Sequence, residues 1–284
     1  LYKYSARAVI DGHKEKDFPL GWFLPNDGYG CGYGQNGYYV NYPLAATNVG
    51  SEEAIEASRL NVENLAEFTA YANARGIDTG LWTQSGLDFA GSETDSYGYH
   101  GLQTLRDFEN EVNIGGITSL KTDVAWVGSG YSFGLNGVKT GYDTIAEAGT
   151  RPNVVSLDGW AGTQRYAGIW TGDQSGGEWE YIRFHIPTYI GQSLSGNPNI
   201  GSDIDGIYGG SNLLATRDFQ WKSFTPLMLD MDGWGSIPKK PYGHGDDYDD
   251  IIRNYLKLKA QMMPYIYTIA EEATEGKPMI RAMF

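Results

Sequence analysis

Segments rich in apolar residues alternate along this chain with polar or glycine-rich loops and with amphipathic helical patterns. The apolar segments have the length and composition of strands. Strands are predicted at residues 19–24, 77–82, 116–127, 153–157 and 199–204, and a further strand begins at 168–170 and stops at Asp173. Helices are predicted at residues 62–75, 142–148, 178–194 and 251–275, and residues 217–231 combine a helix with a last strand or its loop. Strands that alternate with helices are typical of a parallel sheet covered by helices.

One helix–strand unit shows this pattern most clearly. Asn61 is predicted as the N-cap of the helix at 62–75, Gly76 as the glycine that ends it, and the strand at 77–82 follows. The 284 residues are enough for an α/β fold of the (β/α)8 TIM-type barrel, which needs about 250 residues, and the acidic residues and motif described below favour that barrel. We predict one barrel domain over residues 1–284. Because the chain starts with Leu1 and has no obvious stop at its end, we expect it to be an excerpt of a longer protein.

Charge and composition narrow the possible partners. The chain has 21 Lys and Arg against 35 Asp and Glu, for a net charge of -14. An acidic chain repels phosphate backbones, so no nucleic-acid partner is predicted. No apolar run approaches the roughly 18 residues of a membrane helix. The 8 Trp, 21 Tyr and 10 Phe could stack on sugar rings or simply form an aromatic core.

Acidic residues recur where the predicted strands end, at Asp27, Asp123, Asp173 and Asp203. In a parallel barrel these ends converge on the face where active sites are built. Aspartate also favours loops in general, so position by itself does not prove a site. We nevertheless expect these carboxylates to meet at one face.

Signals for metals, phosphate cofactors and serine nucleophiles are missing from the sequence. The four histidines have no paired ligand spacing, and His185 on its predicted helix is most simply a packed residue. The acidic stretch 245–250 lacks the glycine and glutamate of an EF-hand loop and is better explained as a solvated loop or helix start. No GxSxG, GxGxxG or P-loop motif is present. No cofactor is predicted.

Two carboxylates suffice to break a glycosidic bond, one as nucleophile and one as general acid. Asp123 and Asp173 are the candidates. Arg165 could hold one carboxylate in its ionised form. Three tryptophans, Trp82, Trp160 and Trp170, could wall the sugar site and lower its local dielectric.

The run from Arg165 through Trp170 to Thr171-Gly172-Asp173 closely resembles the acid/base motif of glycoside hydrolase family 31. The resemblance implies that Asp173 is the acid/base and that Arg165 and Trp170 line the sugar subsite at the cleaved bond. It implies that Asp203, in a segment similar to the family's next strand, contacts sugar hydroxyls. It also implies a catalytic barrel whose first strand region and flanking β domains lie outside this excerpt.

Two departures from the family pattern affect the nucleophile and the sugar. Residues 121–126 read Lys-Thr-Asp-Val-Ala-Trp where many members have Trp-x-Asp-Met-Asn-Glu. The nucleophile assignment to Asp123 therefore depends on chain order and strand position. Near the last strand, Leu229-Asp230-Met231 stands where family α-glucosidases have Arg-x-His.

Residues 21–30 and 125–131 look like a different branch, the bacterial group that includes α-N-acetylgalactosaminidases. This resemblance brings Trp126 to the sugar site and makes Asp27 a ligand of non-reducing hydroxyls, although Asp27 could merely form a turn. It implies a retaining, exo-acting enzyme that releases terminal α-linked N-acetylgalactosamine. The alternatives are an α-galactosidase, an α-glucosidase or transglycosylase, and a catalytically silent sugar-binding barrel. A secreted or cell-surface bacterial protein is expected, and the oligomeric state is left open.

Overall fold

The computed structural model of this chain describes residues 6–25, 52–83, 108–123, 131–231 and 235–283. The chain divides into two compact units. The first comprises Leu1–Asp11 and Leu20–Ala167, and the second comprises Gly12–Pro19 and Gly168–Phe284. None of the described helices is long and apolar enough to cross a membrane.

The first unit is built on four parallel strands that pair in chain order. They are β1 (Trp22–Phe23), β2 (Asp78–Thr83), β3 (Ser119–Thr122) and β4 (Asn153–Ser156). The register places Leu81 beside Leu120 and Leu120 beside Val154. Because side chains alternate along a strand, Trp82 and Lys121 lie on the opposite face of the sheet.

The apolar face of this sheet packs against helices. α1 (Ala6–Glu15) precedes β1 and packs through Ile10 on Ala72 and Ile77. The helices on the sheet are α2 (Glu52–Asn73), α3 (Phe108–Asn113) and α4 (Tyr131–Glu147). Their buried side chains join those of the strands in one core, which includes Leu65, Leu81, Phe108, Leu120, Val138, Ile145 and Val154. This core therefore lies on one side of the sheet, and the opposite face carries Trp82, Lys121 and Val155.

Two predicted helix boundaries in this unit are wrong. α2 begins at Glu52, so Asn61 lies inside the helix and is not its N-cap. The prediction at 142–148 covers only the end of α4, which begins at Tyr131. Three glycines between 134 and 141 lower the helix propensity and hide the earlier turns. Gly76, with φ of 74°, follows α2 in the left-handed conformation that was predicted for it.

The second unit contains a shorter parallel pair and three helices. β5 (Gly168–Trp170) pairs with β6 (Ile200–Gly201), and Asp203 forms a single parallel bridge with Leu229. The helices are α5 (Trp179–Leu194), α6 (Asn212–Lys222) and α7 (Asp246–Thr274). Phe18, Ile204, Ala215, Phe219, Ile252 and Leu256 form the core of this unit.

The acidic stretch at 245–250 is confirmed as a helix start. Asp246, Asp247 and Asp249 occupy the first turn of α7. Asp249 accepts hydrogen bonds from the backbone N–H groups of Gly243 and His244, both at 2.9 Å. Carboxylates at this end of a helix are stabilised by unpaired backbone N–H groups and by the helix dipole.

A buried ion pair joins α6 to the backbone that follows β6. Lys222 Nζ donates to Asp218 Oδ2 at 2.6 Å and to the main-chain oxygen of Asp203 at 2.7 Å. Asp218 Oδ2 also accepts from the backbone N–H of Asp205 at 2.7 Å. Both side chains of the pair are 0% exposed. Burial lowers the pKa of Lys222, while the neighbouring Asp218 opposes that shift.

We predict that Lys222→Met destabilises the protein by about 3–5 kcal/mol, because it leaves the Asp218 carboxylate buried without its counter-charge. Chemical denaturation measures the free energy of unfolding. Lys257→Met is the matched control, since Lys257 pairs with Asp17 at the surface, and it should cost less than about 1 kcal/mol. Equal small losses for both variants would contradict the prediction.

Candidate active site

Asp123 directly follows β3, where its carboxylate is held from two sides. Trp82 Nε1 donates to Asp123 Oδ2 at 2.8 Å, and Lys121 Nζ lies 3.8 Å from the same oxygen. The sheet explains this arrangement, because Trp82 and Lys121 are register partners on neighbouring strands. Asp123 is two residues beyond Lys121 and therefore shares its face.

This arrangement suits a carboxylate that must attack in one orientation. The indole N–H holds Oδ2, and the buried ammonium of Lys121 adds positive charge beside it. A fixed carboxylate does not have to be ordered during the reaction, which favours nucleophilic attack. Trp82 was predicted as a wall of the sugar site, and in the structure its indole N–H donates a hydrogen bond to Asp123.

Asp158, two residues beyond β4, also has a buried carboxyl group, and it was not singled out from the sequence. Ser156 Oγ accepts from Thr122 Oγ1 at 2.7 Å and from the backbone N–H of Asp158 at 2.9 Å. Burial raises the pKa of Asp158, and a hydrogen bond from the backbone of Trp160 opposes that shift. The position of Asp158 just after a predicted strand was the signal in the sequence that could have identified it. The indole of Trp160 is 46% exposed and is accessible for stacking.

Asp173 is exposed on a turn after β5, and its neighbours hold that turn. The N–H of Thr171 donates to the oxygen of Gly201 at 3.1 Å, which extends the pairing with β6. Gln174 Nε2 donates to the oxygen of Thr171 at 2.9 Å. Gly172 has φ of 89°, a left-handed conformation that suits glycine. The turn thus presents Asp173 to solvent at the carboxyl end of its strand.

His185 contacts this turn at Thr171 and Gln174. It is a packed residue, as predicted. Its Nδ1 donates to the oxygen of Tyr181 at 2.7 Å, and its Nε2 lies 2.9 Å from Gln174 Oε1 and 3.2 Å from Thr171 Oγ1. Burial and the nearby ammonium of Lys222 lower the pKa of His185 to about 4. The imidazole is therefore neutral near neutral pH.

The other residues of the family motif have different surroundings. Arg165 is exposed, donates from Nε to the oxygen of Gly162 at 3.3 Å, and lies over the ring of Tyr166 at 5.2 Å. Trp170 is buried, with 1% of its surface exposed. Asp203 is also buried, and its main-chain oxygen accepts from Lys222 and from the Tyr181 hydroxyl. Its carboxylate therefore extends from a fixed backbone.

The predicted site residues fall into three groups. Trp82, Asp123, Trp160 and Arg165 belong to the first unit, and Trp170, Asp173 and Asp203 belong to the second. Asp27 and Trp126 lie outside the described residues. The pairing of Asp123 with Asp173 and the sugar-binding assignments stay predictions.

The sequence and fold match known glycosidases. The model of the glycosyl hydrolases family 31 TIM-barrel domain matches residues 52–269, most of the chain. The chain belongs to glycosyl hydrolase family 31. Its predicted α/β fold of the (β/α)8 type is thereby confirmed, and so is the family that was inferred from the motif around Asp173.

Two curated relatives show how far the likeness extends. α-Glucosidase 2 of Bacillus thermoamyloliquefaciens is 36% identical over 138 residues, which cover 48% of this chain and 17% of that protein. Lysosomal α-glucosidase of Mus musculus is 34% identical over 142 residues, covering 49% of this chain and 15% of that protein. These relatives support the family, and they do not support the α-N-acetylgalactosaminidase branch.

Solved structures of similar fold cover nearly the whole chain. A cycloalternan-degrading enzyme from Trueperella pyogenes has a TM-score of 0.72 at 17% identity, over 97% of this chain and 49% of that one. A family 31 α-xylosidase from a soil metagenome has a TM-score of 0.64 at 16% identity, over 95% of this chain and 48% of that one. The chain thus spans about half the length of these enzymes, and the likeness concerns the fold.

The buried imidazole predicts a pH dependence of stability. His185 has a pKa of about 4 when folded against an ordinary value of 6.5. Between these values the unfolded chain binds a proton that the folded chain does not. The stabilisation should therefore be present above pH 6.5 and fall with pH by at most about 1.4 kcal/mol per unit.

Urea unfolding of wild type and His185→Gln at a series of pH values tests this expectation. The variant lacks the titrating group, so the stability difference between the two proteins should narrow as pH falls from 6.5 toward 4. A difference that is constant across this range would show that His185 does not titrate in this way.

Proposed function

We propose that the protein containing this chain is a retaining, exo-acting α-glycoside hydrolase with Asp123 as nucleophile and Asp173 as acid/base. The observation that supports it most strongly is the Arg165–Asp173 motif in a chain of family 31, with Asp173 exposed on the turn after β5. Relatives named α-glucosidase and a similar fold named α-xylosidase are consistent with this chemistry. The assignment of residues 1–284 to one catalytic barrel is part of the same proposal.

The proposed reaction has two displacement steps. Asp123 attacks the anomeric carbon while the carboxylic acid of Asp173 protonates the leaving oxygen, so that a covalent glycosyl ester forms on Asp123. Asp173, now ionised, takes a proton from water, and that water cleaves the ester. Two inversions at the anomeric carbon leave its configuration unchanged.

The other residues are proposed to have one of two roles, which are to support the Asp123 carboxylate or to bind sugar. Trp82 and Lys121 hold Oδ2 of Asp123. Asp203 extends its carboxylate from an anchored backbone and is proposed to bind sugar hydroxyls. The other proposed sugar contacts are Asp27, Trp126, Trp160, Arg165 and Trp170.

Replacing the two aspartates should have different effects. Asp173→Ala should lower kcat/KM by about 10²–10⁴-fold on alkyl α-glycosides. It should spare most activity on dinitrophenyl α-glycosides, because that leaving group needs no proton. Asp123→Asn should abolish hydrolysis of both substrate classes, because no covalent ester can form.

The anomeric configuration of the first product tests whether the mechanism is retaining. NMR of early products should show the α-anomer. Full activity of Asp123→Asn would reject the nucleophile assignment, and the β-anomer as first product would reject the retaining mechanism.

For the sugar we propose terminal α-linked N-acetylgalactosamine, with galactose next. Leu229-Asp230-Met231 replaces the Arg-x-His of family α-glucosidases, so the usual hydroxyl contacts to glucose are missing. Residues 21–30 and 125–131 resemble the α-N-acetylgalactosaminidase branch. The second candidate is an α-glucosidase, which is favoured by the names of the relatives.

A panel of aryl α-glycosides of N-acetylgalactosamine, galactose, glucose and xylose distinguishes these candidates. We expect kcat/KM for the N-acetylgalactosaminide to exceed that for the glucoside by about 100-fold or more, because polar groups built for one sugar are left unpaired by another. A preference for the glucoside would overturn the proposed sugar and leave the proposed reaction intact. Binding without turnover of any substrate would instead favour a silent sugar-binding barrel.

A further inference from the structure

Asp205 joins the loop after β5 to the loop after β6, and both loops belong to the second unit. Its Oδ1 accepts from the backbone N–H of Gly177 at 2.7 Å, and its Oδ2 accepts from that of Ser211 at 3.2 Å. Lys239 Nζ lies 3.5 Å from Oδ2 and donates to the main-chain oxygen of Asp205 at 3.1 Å. The Asp205 and Lys239 side chains are almost fully buried. One buried carboxylate thus holds two loops and has its own counter-charge.

Close backbone packing reinforces this connection. A Cβ atom on Gly176 would lie 1.7 Å from the main-chain oxygen of Asp205, and one on Gly206 would lie 2.3 Å from that of Gln174. Real side chains do not fit at such distances, so the two loops contact each other backbone to backbone. The turn that contains Asp173 therefore has little room to move independently of Asp203.

The backbone of Asp205 is itself strained. Its φ is 51°, one of two positive values among the described residues other than glycine. This left-handed conformation is uncommon for a residue that carries a Cβ atom, although Asp adopts it more readily than most. The Asp218 carboxylate, which accepts from the N–H of Asp205, and the Asp205 side-chain bonds hold this conformation in place. The strain is maintained by bonds that lead to both loops.

We propose that Asp205 is a positioning residue, which holds the loop of the acid/base Asp173 in register with Asp203. This inference rests on the proposed function of those two residues. Asp205 acts through its hydrogen bonds and does not touch the sugar. Its contribution is to keep the Asp173 carboxyl within reach of the leaving oxygen, where a displacement of about 1 Å can cost 10²-fold in rate.

The decisive variant is Asp205→Asn, which keeps the size of the side chain. Its amide NH2 must face the N–H of Gly177 or of Ser211, donor against donor, so one loop loses its bond. We expect kcat/KM on alkyl α-glycosides to fall about 10- to 100-fold, because protonation is impaired. On dinitrophenyl glycosides, which need no acid, the loss should stay below about threefold.

Asp249→Asn is the matched control. Asp249 also accepts two backbone N–H groups, but it does so at the start of α7. Asp249→Asn should leave unchanged the ratio of kcat/KM on alkyl glycosides to kcat/KM on dinitrophenyl glycosides. Thermal unfolding of each variant verifies that folded protein is being compared.

If Asp205→Asn does not fold, the same comparison is made with Lys239→Gln, which removes the charge beside Asp205 and shortens the side chain that contacts it. A selective loss on alkyl glycosides supports the proposal, and an equal loss or no loss on both classes overturns it. Failure of the proposed function has a different signature: wild type hydrolyses no α-glycoside, or Asp173→Ala shows no dependence on the leaving group.

Discussion

The backbone that follows β6 depends on the buried ion pair of Lys222 and Asp218. A charge without a partner inside a protein is strongly destabilising, so each member requires the other. Their remaining bonds go to the backbone of Asp203 and Asp205. The pair therefore fixes the path of the chain where β6 ends. The side chains of Asp203, which is proposed to bind sugar, and of Asp205, which links two loops, both extend from that fixed backbone.

In the first unit, strand geometry holds the candidate nucleophile Asp123 in place. Parallel pairing brings Trp82 beside Lys121, and alternation turns both side chains and Asp123 to the face opposite the apolar core. The indole N–H then meets the carboxylate at 2.8 Å. Here an ordinary ladder positions the candidate nucleophile, whereas the second unit uses buried ions. The ladder of the second unit is also shorter, since β5 and β6 pair over fewer residues than β2 and β3.

Membership of family 31 defines the reaction class more firmly than the sugar. Acid/base chemistry requires a carboxyl group in a defined turn, and the motif that ends at Asp173 encodes that turn locally. Sugar choice depends on many contacts from different loops. The relatives named α-glucosidase align with about half of this chain, whereas the proposal for the sugar rests on other segments, among them Leu229-Asp230-Met231. A shared reaction and an altered sugar are compatible because different side chains decide them.

The sequence by itself determined the fold class, the strand that begins at residue 168, the left-handed glycine after α2 and the acid/base candidate. Each of these depends on local chemistry: apolar periodicity, turn-forming glycines or a contiguous motif. Tertiary structure decided that Asn61 continues a helix, that Trp82 hydrogen-bonds Asp123, and that Asp158 is buried. It alone brought Asp205 to Gly177, 28 residues away along the chain. Such contacts join distant segments, and no local pattern encodes which buried donor a carboxylate will meet.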